Sequence, residues 1–204
     1  MLTPVGLDTD LLHSNYKDIT ILDLKKKYGF SQHDNILLFI GRLEKEKRPI
    51  SMVEKLHSIR KKNTNYKLLM VGNGELKNKI INRINELKLS DVVKIQDNIP
   101  NEDIWEYYRL SDAYVNLNQH EIFGMSILEA MFYGTKVVAW NAPGPNYIIE
   151  NGVSGWIVDN TDKVIERILD KKDVGLNAHR RIIEKFTWEN TANNIKSLVE
   201  KALQ

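Results

Sequence analysis

Cysteine is absent from this 204-residue chain. Its absence excludes disulfide bonds and thiolate metal sites. The five histidines offer no substitute, because no two of them stand at i, i+4 spacing. We therefore expect no structural zinc site and no resident metal ion.

Long apolar runs and an excess of one charge sign are also missing. No apolar stretch approaches the roughly 20 residues needed to span a bilayer, and residues 1–4 lack the basic and apolar regions of a signal peptide. The formal net charge is only +2, and the lysines are scattered along the chain. These absences favour a cytoplasmic protein, peripheral to a membrane at most, that binds no nucleic acid.

The sequence does contain a regular alternation of short apolar runs and longer amphipathic stretches, which is typical of βαβ units and a parallel sheet. Six strands joined by crossovers predict one α/β domain, a Rossmann-like doubly wound parallel six-stranded sheet with helices on both faces. The predicted strands are Asn35–Gly41, Tyr66–Gly72, Val92–Asp97, Ala113–Leu117, Lys136–Trp140 and Gly155–Val158.

Helices are predicted between these strands and, as extra C-terminal helices, after them. The predicted helices are Pro49–Lys62, Glu75–Leu87, Asn101–Leu110 with Asn101 as its cap, Met125–Tyr133, Asn146–Glu150, Thr161–Asp170, Asn177–Lys185 and Glu189–Leu203. We expect residues 1–28 to form a linker and a short basic helix at Leu22–Tyr28. The domain proper then covers residues 29–186, and residues 187–204 form a helix that packs on it or crosses to another domain.

Two glutamates bracket a segment in which a polar strand end runs through Gly124 into an apolar helix. If the helix begins near Gly124, its first free N–H groups form an anion site between Glu121 and Glu129. Eight residues of helix rise ~12 Å, so the pair does not suit the two carboxylates of a glycosidase. The arrangement favours a diphosphate with a hydroxyl-bearing group at each end. Because Glu129 lies among apolar residues, we expect it to have a partner, either a ligand hydroxyl or a structural arginine.

The residues that follow the other strands are also candidates, because ligands bind beyond the carboxyl ends of the strands in an open α/β sheet. Arg42 and Lys47 stand five residues apart around a turn, where they either clamp a diphosphate or form an ordinary solvated turn. Gly72 and Gly74 form a tight turn that lets a ligand approach the backbone, but Lys77 replaces the third glycine of a dinucleotide fingerprint.

Asn98 and Ile99 follow the third strand, where free backbone groups could read a base edge, although an ordinary loop is the simpler interpretation.

Together these motifs resemble the nucleotide-sugar-dependent retaining glycosyltransferases of family 4, which have the GT-B fold of two Rossmann-like domains facing a cleft. The matching segments are Pro4-x-Gly6-Leu7-Asp8 for the interdomain Pro-Asn-Gly-Val-Asp, Gly41-Arg42-Leu43 with Lys47 for the diphosphate clamp, and Glu121 through Glu129 for the Glu-x7-Glu signature. The chain departs from the family at Thr135-Lys136-Val137 and at Pro143 to Tyr147, where Tyr147 replaces a usual glutamate, so no role is assigned to that residue.

The resemblance implies a role for each candidate residue. Arg42 and Lys47 would hold the donor diphosphate and stabilise the leaving nucleotide, Glu121 would contact the transferred sugar, and Glu129 would take the ribose hydroxyls. The remaining donor-binding residues would be Phe123, Gly124, Met125, Ser126, Gly41, Gly72, Gly74, Asn98 and Ile99. The cationic side chains would replace a divalent metal, so no cofactor is required besides the nucleoside-diphosphate sugar that serves as donor substrate.

The resemblance further implies that this chain is the C-terminal, donor-binding half of the enzyme. We expect it to lack the N-terminal domain that binds the acceptor glycan, lipid or protein and makes any membrane contact, and to transfer no sugar alone. Two alternatives remain open: a nucleotide-sugar epimerase half on the same scaffold, and a non-catalytic nucleotide-sugar-binding domain. The Glu-x7-Glu motif and the Arg42–Lys47 clamp favour transfer.

Overall fold

A computed structural model describes residues 5–14, 19–97 and 99–203, and it contains one six-stranded parallel sheet. The strand order is β3-β2-β1-β4-β5-β6. This is the order of a doubly wound dinucleotide-binding sheet, in which the winding reverses between β1 and β4. The strands are β1 (Asn35–Ile40), β2 (Tyr66–Val71), β3 (Val93–Gln96), β4 (Ala113–Asn116), β5 (Lys136–Trp140) and β6 (Trp156–Val158). The predicted fold class is confirmed.

The helices lie between and after the strands, as the amphipathic pattern predicts. They are α1 (Thr9–Ser14), α2 (Ile21–Lys27), α3 (Pro49–Arg60), α4 (Lys77–Glu86), α5 (Ile104–Leu110), α6 (Met125–Phe132), α7 (Pro143–Ile148), α8 (Thr161–Leu169), α9 (Gly175–Lys185) and α10 (Trp188–Ala202). Short 3-10 helices cover Lys45–Lys47 and Asn101–Asp103.

Both faces of the sheet are covered, because successive side chains of a strand point to opposite sides. In β1, Ile36 and Leu38 join a core cluster with α2, α5, α6, α7 and α9. Leu37 and Phe39 join a second cluster with α3, α4 and α8. All four side chains are buried, which explains why the strand reads as a continuous apolar run.

Several helix starts differ from the prediction by one to three residues, and the two largest differences are at α5 and α7. The first α-helical residue of α5 is Ile104, and Asn101 opens a 3-10 turn and caps no helix. Helix α7 begins at Pro143, earlier than the predicted Asn146, because proline is pre-organised for the first helical turn and needs no N–H partner there. Helix α1 was not predicted.

The segment before Gly29 packs on the domain. Helix α2, predicted as a short basic helix, contacts α5 and places Leu24 in the core. Further upstream, the Leu7 N–H donates to the Phe186 carbonyl (2.7 Å), and the Trp188 N–H donates to the Leu7 carbonyl (2.9 Å). The core packing therefore extends upstream of the predicted boundary at residue 29. Pro4 of the linker motif lies outside the described residues.

Helix α10 is amphipathic, but none of its described residues is buried. Three of its large apolar side chains, Trp188, Ile195 and Val199, are more than half exposed. Whether it crosses to another domain stays a prediction. Across the described residues, no helix combines the length and apolar character that crossing a membrane requires.

Candidate active site

The centre of the candidate site is an ion pair between Lys47 and Glu121. Lys47 lies in the loop after β1, and Glu121 lies in the loop after β4. These two strands are neighbours, and the winding of the chain through the sheet reverses between them. The Lys47 Nζ atom is 2.7 Å from Glu121 Oε2, and the side chains are 26% and 13% exposed. Two of the predicted catalytic residues are therefore in direct contact.

Two asparagines also hold the Glu121 carboxylate. The Nδ2 atoms of Asn116 and Asn118 donate to Glu121 Oε2 at 3.2 and 3.3 Å. Burial disfavours the charged form of Glu121, but the hydrogen bonds from Lys47, Asn116 and Asn118 outweigh it and lower the pKa of this carboxyl. Glu121 is therefore ionised at neutral pH. Three donors share its Oε2 atom, and Oε1 has no hydrogen-bond partner in the described part of the chain.

Helix α6 begins beside this pair, at the residue that the sequence predicts. Gly124 is its N-cap with φ = 103°, and an added Cβ atom would lie 2.9 Å from Ile127 Cδ1, so glycine suits the position. The Gly124 carbonyl accepts from the N–H groups of Ile127 and Leu128. The N–H groups of Met125 and Ser126 have no partner among the described residues, which leaves the anion-binding donors of a helix start available.

Glu129, one turn further along α6, has a tyrosine as its partner. The Tyr108 hydroxyl donates to Glu129 Oε2 at 2.7 Å. Burial raises the pKa of Glu129, although this hydrogen bond acts in the opposite direction. Of the two partners that the sequence left open, a ligand hydroxyl or a structural arginine, the described residues supply no arginine, and a tyrosine takes that place. The partner comes from α5, and Oε1 has none among the residues described, so it is available to a ligand hydroxyl.

Arg42 does not join the Lys47–Glu121 pair. Its side chain is 70% exposed, and Nη1 lies 3.0 Å from Glu44 Oε1 on the surface. Such an exposed ion pair is worth little and exchanges readily for a stronger partner. The two cations of the predicted clamp follow the same strand, only Lys47 points at the glutamate, and the clamp itself stays a prediction.

Four predicted residues do come together in a cleft of about 390 Å³ beyond the ends of β1 and β2, named here the β1–β2 cleft. Gly41, Arg42, Gly72 and Ile99 contribute to its walls, and the full lining is Ile40, Gly41, Arg42, Val71, Gly72, Asn73, Ile99, Asn101 and Ile104. Asn98 lies outside the described residues.

Main chain forms the floor of the β1–β2 cleft. A Cβ atom on Gly72, where φ is 141°, would lie 2.0 Å from the Gly41 carbonyl oxygen. Gly74 is not part of the lining, because it packs against the Leu43 backbone, only 2.8 Å from where its own Cβ would be. The turn therefore needs both glycines, Gly72 to form the floor and Gly74 to pack behind it.

Phe123 positions the loop that carries Glu121. Its side chain packs against the core cluster, and a Cβ atom on Gly144 would lie 2.1 Å from the Phe123 carbonyl oxygen. The Gly144 N–H donates to the Glu121 carbonyl at 2.8 Å. The start of α7, where the sequence departs from the family pattern, thus fixes the backbone of this loop.

Sequence reasoning missed the polar side chains that hold the two glutamates. Asn116 and Asn118 had a usable signal, because they alternate at the end of an otherwise apolar strand and so share a face with each other. Tyr108 had no such signal, since it looks like one more aromatic residue of a buried helix.

The site contains no recognisable metal centre. Within the described ranges, no three histidine or acidic residues are grouped as metal ligands. The sequence Asp8-Thr9-Asp10 has Asp-x-Asp spacing, but these residues line a different surface pocket with Glu184 and Asn190.

Comparison with known proteins assigns the chain to a family. The family model described as "Glycosyl transferases group 1" matches residues 21–186. The chain is 28% identical over 200 residues to the N-acetyl-alpha-D-glucosaminyl L-malate synthase of Bacillus anthracis, which covers 92% of this chain and 50% of the synthase. It spans about half the length of the curated relatives it matches.

Solved structures agree on the fold. Anabaena Alr3699/HepE in complex with UDP and glucose superposes with a TM-score of 0.81 at 20% identity, covering 96% of this chain and 55% of that one. The C-terminal domain of a group 1 glycosyl transferase (LpcC) from Francisella tularensis gives 0.76 at 21% identity, covering 90% of this chain and 100% of that domain. The chain has the fold of one Rossmann-like half of a GT-B glycosyltransferase, and it belongs to the glycosyl transferases group 1 family.

Proposed function

We propose that the chain is the donor-binding domain of a retaining glycosyltransferase. The enzyme would move a sugar from a nucleoside-diphosphate sugar to a glycan, lipid or protein-linked acceptor. The observation that carries this proposal is the contact between Lys47 and Glu121, which lies between β1 and β4 where the winding of the chain reverses. The free N–H groups at the start of α6 lie beside it. It combines a cation for a diphosphate with a carboxylate for sugar hydroxyls.

The donor would lie across the carboxyl ends of the strands. Its base would occupy the β1–β2 cleft, whose floor is backbone and whose wall includes Ile99. Its ribose hydroxyls would meet the free oxygen of Glu129. The diphosphate would lie between Lys47 and the start of α6, and the sugar would reach Glu121.

Catalysis would depend mainly on the cations. Negative charge grows on the leaving diphosphate as the anomeric bond breaks, so donors aimed at that charge stabilise the transition state. Lys47 has three N–H donors and uses one on Glu121, which leaves two for phosphate oxygens. Arg42 would leave Glu44 and add a planar guanidinium fork, which suits phosphate geometry.

Glu121 would orient the sugar rather than exchange protons. The donors on its Oε2 keep the carboxylate ionised, so its free oxygen accepts hydrogen bonds from sugar hydroxyls. Retention of anomeric configuration and independence of a metal belong to the same proposal and follow from the family resemblance. Cytoplasmic location is also proposed, on the sequence patterns described above.

UDP is the first nucleotide to test, because the structurally similar Anabaena protein was solved with UDP and glucose. Calorimetry on this chain with UDP, GDP and ADP should detect binding of at least one of them. Lys47→Ala should weaken that binding about tenfold or more, since a charge-assisted contact contributes roughly 1.5–3 kcal/mol.

Lys45→Ala is the matched control, because Lys45 is an exposed lysine of the same short 3-10 helix. It should bind like the wild type. Absence of binding to all three nucleotides, or an equal loss in both lysine variants, contradicts the proposed site. Assays of the full-length enzyme with UDP-sugars then separate transfer from epimerisation and from binding alone.

A further inference from the structure

Tyr108 contacts Glu129 from a fully buried position. Its side chain has 0% exposure, and its hydroxyl donates to Glu129 Oε2 at 2.7 Å. The two residues belong to different helices, α5 and α6, and lie 21 positions apart in the chain. The contact therefore depends on how these helices pack rather than on local sequence.

The packing leaves the Tyr108 ring one position. Tyr133 stacks on it at 6.0 Å with an interplanar angle of 14°, and Tyr114 meets it edge-on at 6.0 Å and 75°. The Thr135 hydroxyl donates to the Tyr108 backbone carbonyl at 2.8 Å. A ring fixed on both sides presents its hydroxyl in one place, which is the requirement for orienting another side chain.

This geometry divides the two oxygens of the Glu129 carboxylate. Oε2 accepts from Tyr108, and Oε1 has no partner among the residues that the structure describes. We propose that Tyr108 is a positioning residue: it fixes the Glu129 carboxylate so that Oε1 faces the ribose of the donor. This inference rests on the proposed function, in which Glu129 takes the ribose hydroxyls.

A purely structural role explains the pair less well. Glu129 is the only charged residue in α6, where its neighbours Leu128 and Ala130 are buried. Burying a carboxylate costs free energy even with one hydrogen bond, and an apolar side chain would avoid that cost. A second tyrosine supports α6 in the same way, since the Tyr114 hydroxyl lies 2.8 Å from Ser126 Oγ at the helix start.

Tyr108→Phe tests the inference, because it removes only the hydroxyl. Binding of UDP, 2′-deoxy-UDP and 3′-deoxy-UDP is measured by calorimetry on the wild type and the variant. UDP affinity should fall roughly two- to tenfold, the range expected for one hydrogen bond. The deoxy nucleotide that lacks the hydroxyl read by Glu129 should change less than twofold. A merely structural loss would weaken all three ligands equally.

Tyr66→Phe is the matched control. Tyr66 is the first residue of β2, so it lies at the amino ends of the strands, opposite the site. Among the described residues, its hydroxyl forms one hydrogen bond, which it donates to the Ile168 carbonyl at 3.5 Å. This variant should bind all three nucleotides like the wild type. Unchanged UDP affinity in Tyr108→Phe, or an equal loss for UDP and both deoxy nucleotides, overturns the inference.

Glu129→Gln distinguishes failure of the inference from failure of the proposed function. If Glu129→Gln also fails to change the preference for UDP over its deoxy analogues, the ribose contact itself is wrong. A wild-type crystal structure with UDP tests the geometry without a substitution. Tyr108 should still contact Glu129 while the other carboxylate oxygen contacts the ribose, and a Tyr108 hydroxyl that has left Glu129 overturns the inference.

Discussion

Lys47 Nζ and Glu121 Oε2 are 2.7 Å apart although the residues are separated by 74 positions in the chain. The ion pair joins the loops that follow β1 and β4, so it depends on the pairing of these two strands. The positive charge of Lys47 and the negative charge of Glu121 also neutralise each other, so a donor substrate would meet the pair rather than two separate charges. A diphosphate must therefore share Lys47 with Glu121. Arg42, which follows the same strand, is then the cation that can bind the diphosphate without this competition.

Arg42→Ala should weaken binding of the nucleoside diphosphate about tenfold or more, because a guanidinium that contacts phosphate contributes roughly 1.5–3 kcal/mol. Glu44→Ala is its control: it breaks the same surface ion pair but keeps the cation free for phosphate. Calorimetry should show wild-type or slightly tighter binding for Glu44→Ala. Equal losses in the two variants would mean that the ion pair matters rather than the cation.

Glu121→Gln should separate the sugar from the nucleotide. Affinity for free UDP should stay within about twofold or improve, because Lys47 loses its competing carboxylate. Affinity for UDP-glucose should fall by roughly tenfold relative to UDP, the magnitude of one lost charge-assisted hydrogen bond. Glu46→Gln, an exposed neighbour of Lys47, serves as the control. Parallel losses for both ligands would remove Glu121 from the sugar site.

Glu129→Gln should stabilise the protein at alkaline pH. Burial raises the pKa of Glu129 in the folded state, so its contribution to stability is complete below the unfolded value and is lost as pH rises through the folded value. Glutamine stays neutral and can still accept from Tyr108. The melting temperature of the variant should therefore exceed that of the wild type at pH 8, and the difference should shrink at pH 4.5.

Exposed Glu75→Gln should leave the melting temperature difference the same at both pH values. A variant that melts below the wild type at pH 8 would contradict the assigned sign. Glu129→Gln is also expected to bind UDP more weakly, so the buried carboxylate would be a residue that lowers stability and serves binding.

Gly72→Ala should destabilise the fold more than Gly134→Ala. Both glycines have positive φ, 141° and 72°, so an alanine is strained at either position. Only at Gly72 would the new Cβ collide with backbone, 2.0 Å from the Gly41 carbonyl oxygen, whereas at Gly134 the nearest atom is 3.7 Å away. Urea unfolding should show an additional loss of about 1–3 kcal/mol for Gly72→Ala, as for an overpacked core. Equal losses would mean that φ strain alone determines both.

Sequence patterns predicted the sheet because its inner strands, β1, β2, β4 and β5, are buried on both faces. A run such as Asn35–Ile40 carries its own signal, and so does the passage through Gly124 into α6, where backbone geometry demands a glycine. These are local properties of the chain, so they can be read without knowing what packs nearby.

The partners of the functional side chains could not be predicted in this way. Tyr108 reaches Glu129 only through the packing of α5 on α6. The sequence also does not distinguish Gly72, which forms the cleft floor, from Gly74, which packs behind it. Such relationships depend on the approach of distant segments.

The contact between Gly41 and Gly72 has a consequence for how relatives of this chain diversify. Because a Cβ atom on Gly72 would collide with the Gly41 backbone, substitution of Gly72 cannot add a side chain to this part of the surface on which a base would rest. The N–H groups of Gly41 and Gly72 already donate to the carbonyls of Val71 and Gln96, so a base would meet no free peptide N–H at this contact. Differences in nucleotide preference would therefore be expected at side chains that line the same cleft, such as Ile99, Asn101 and Ile104.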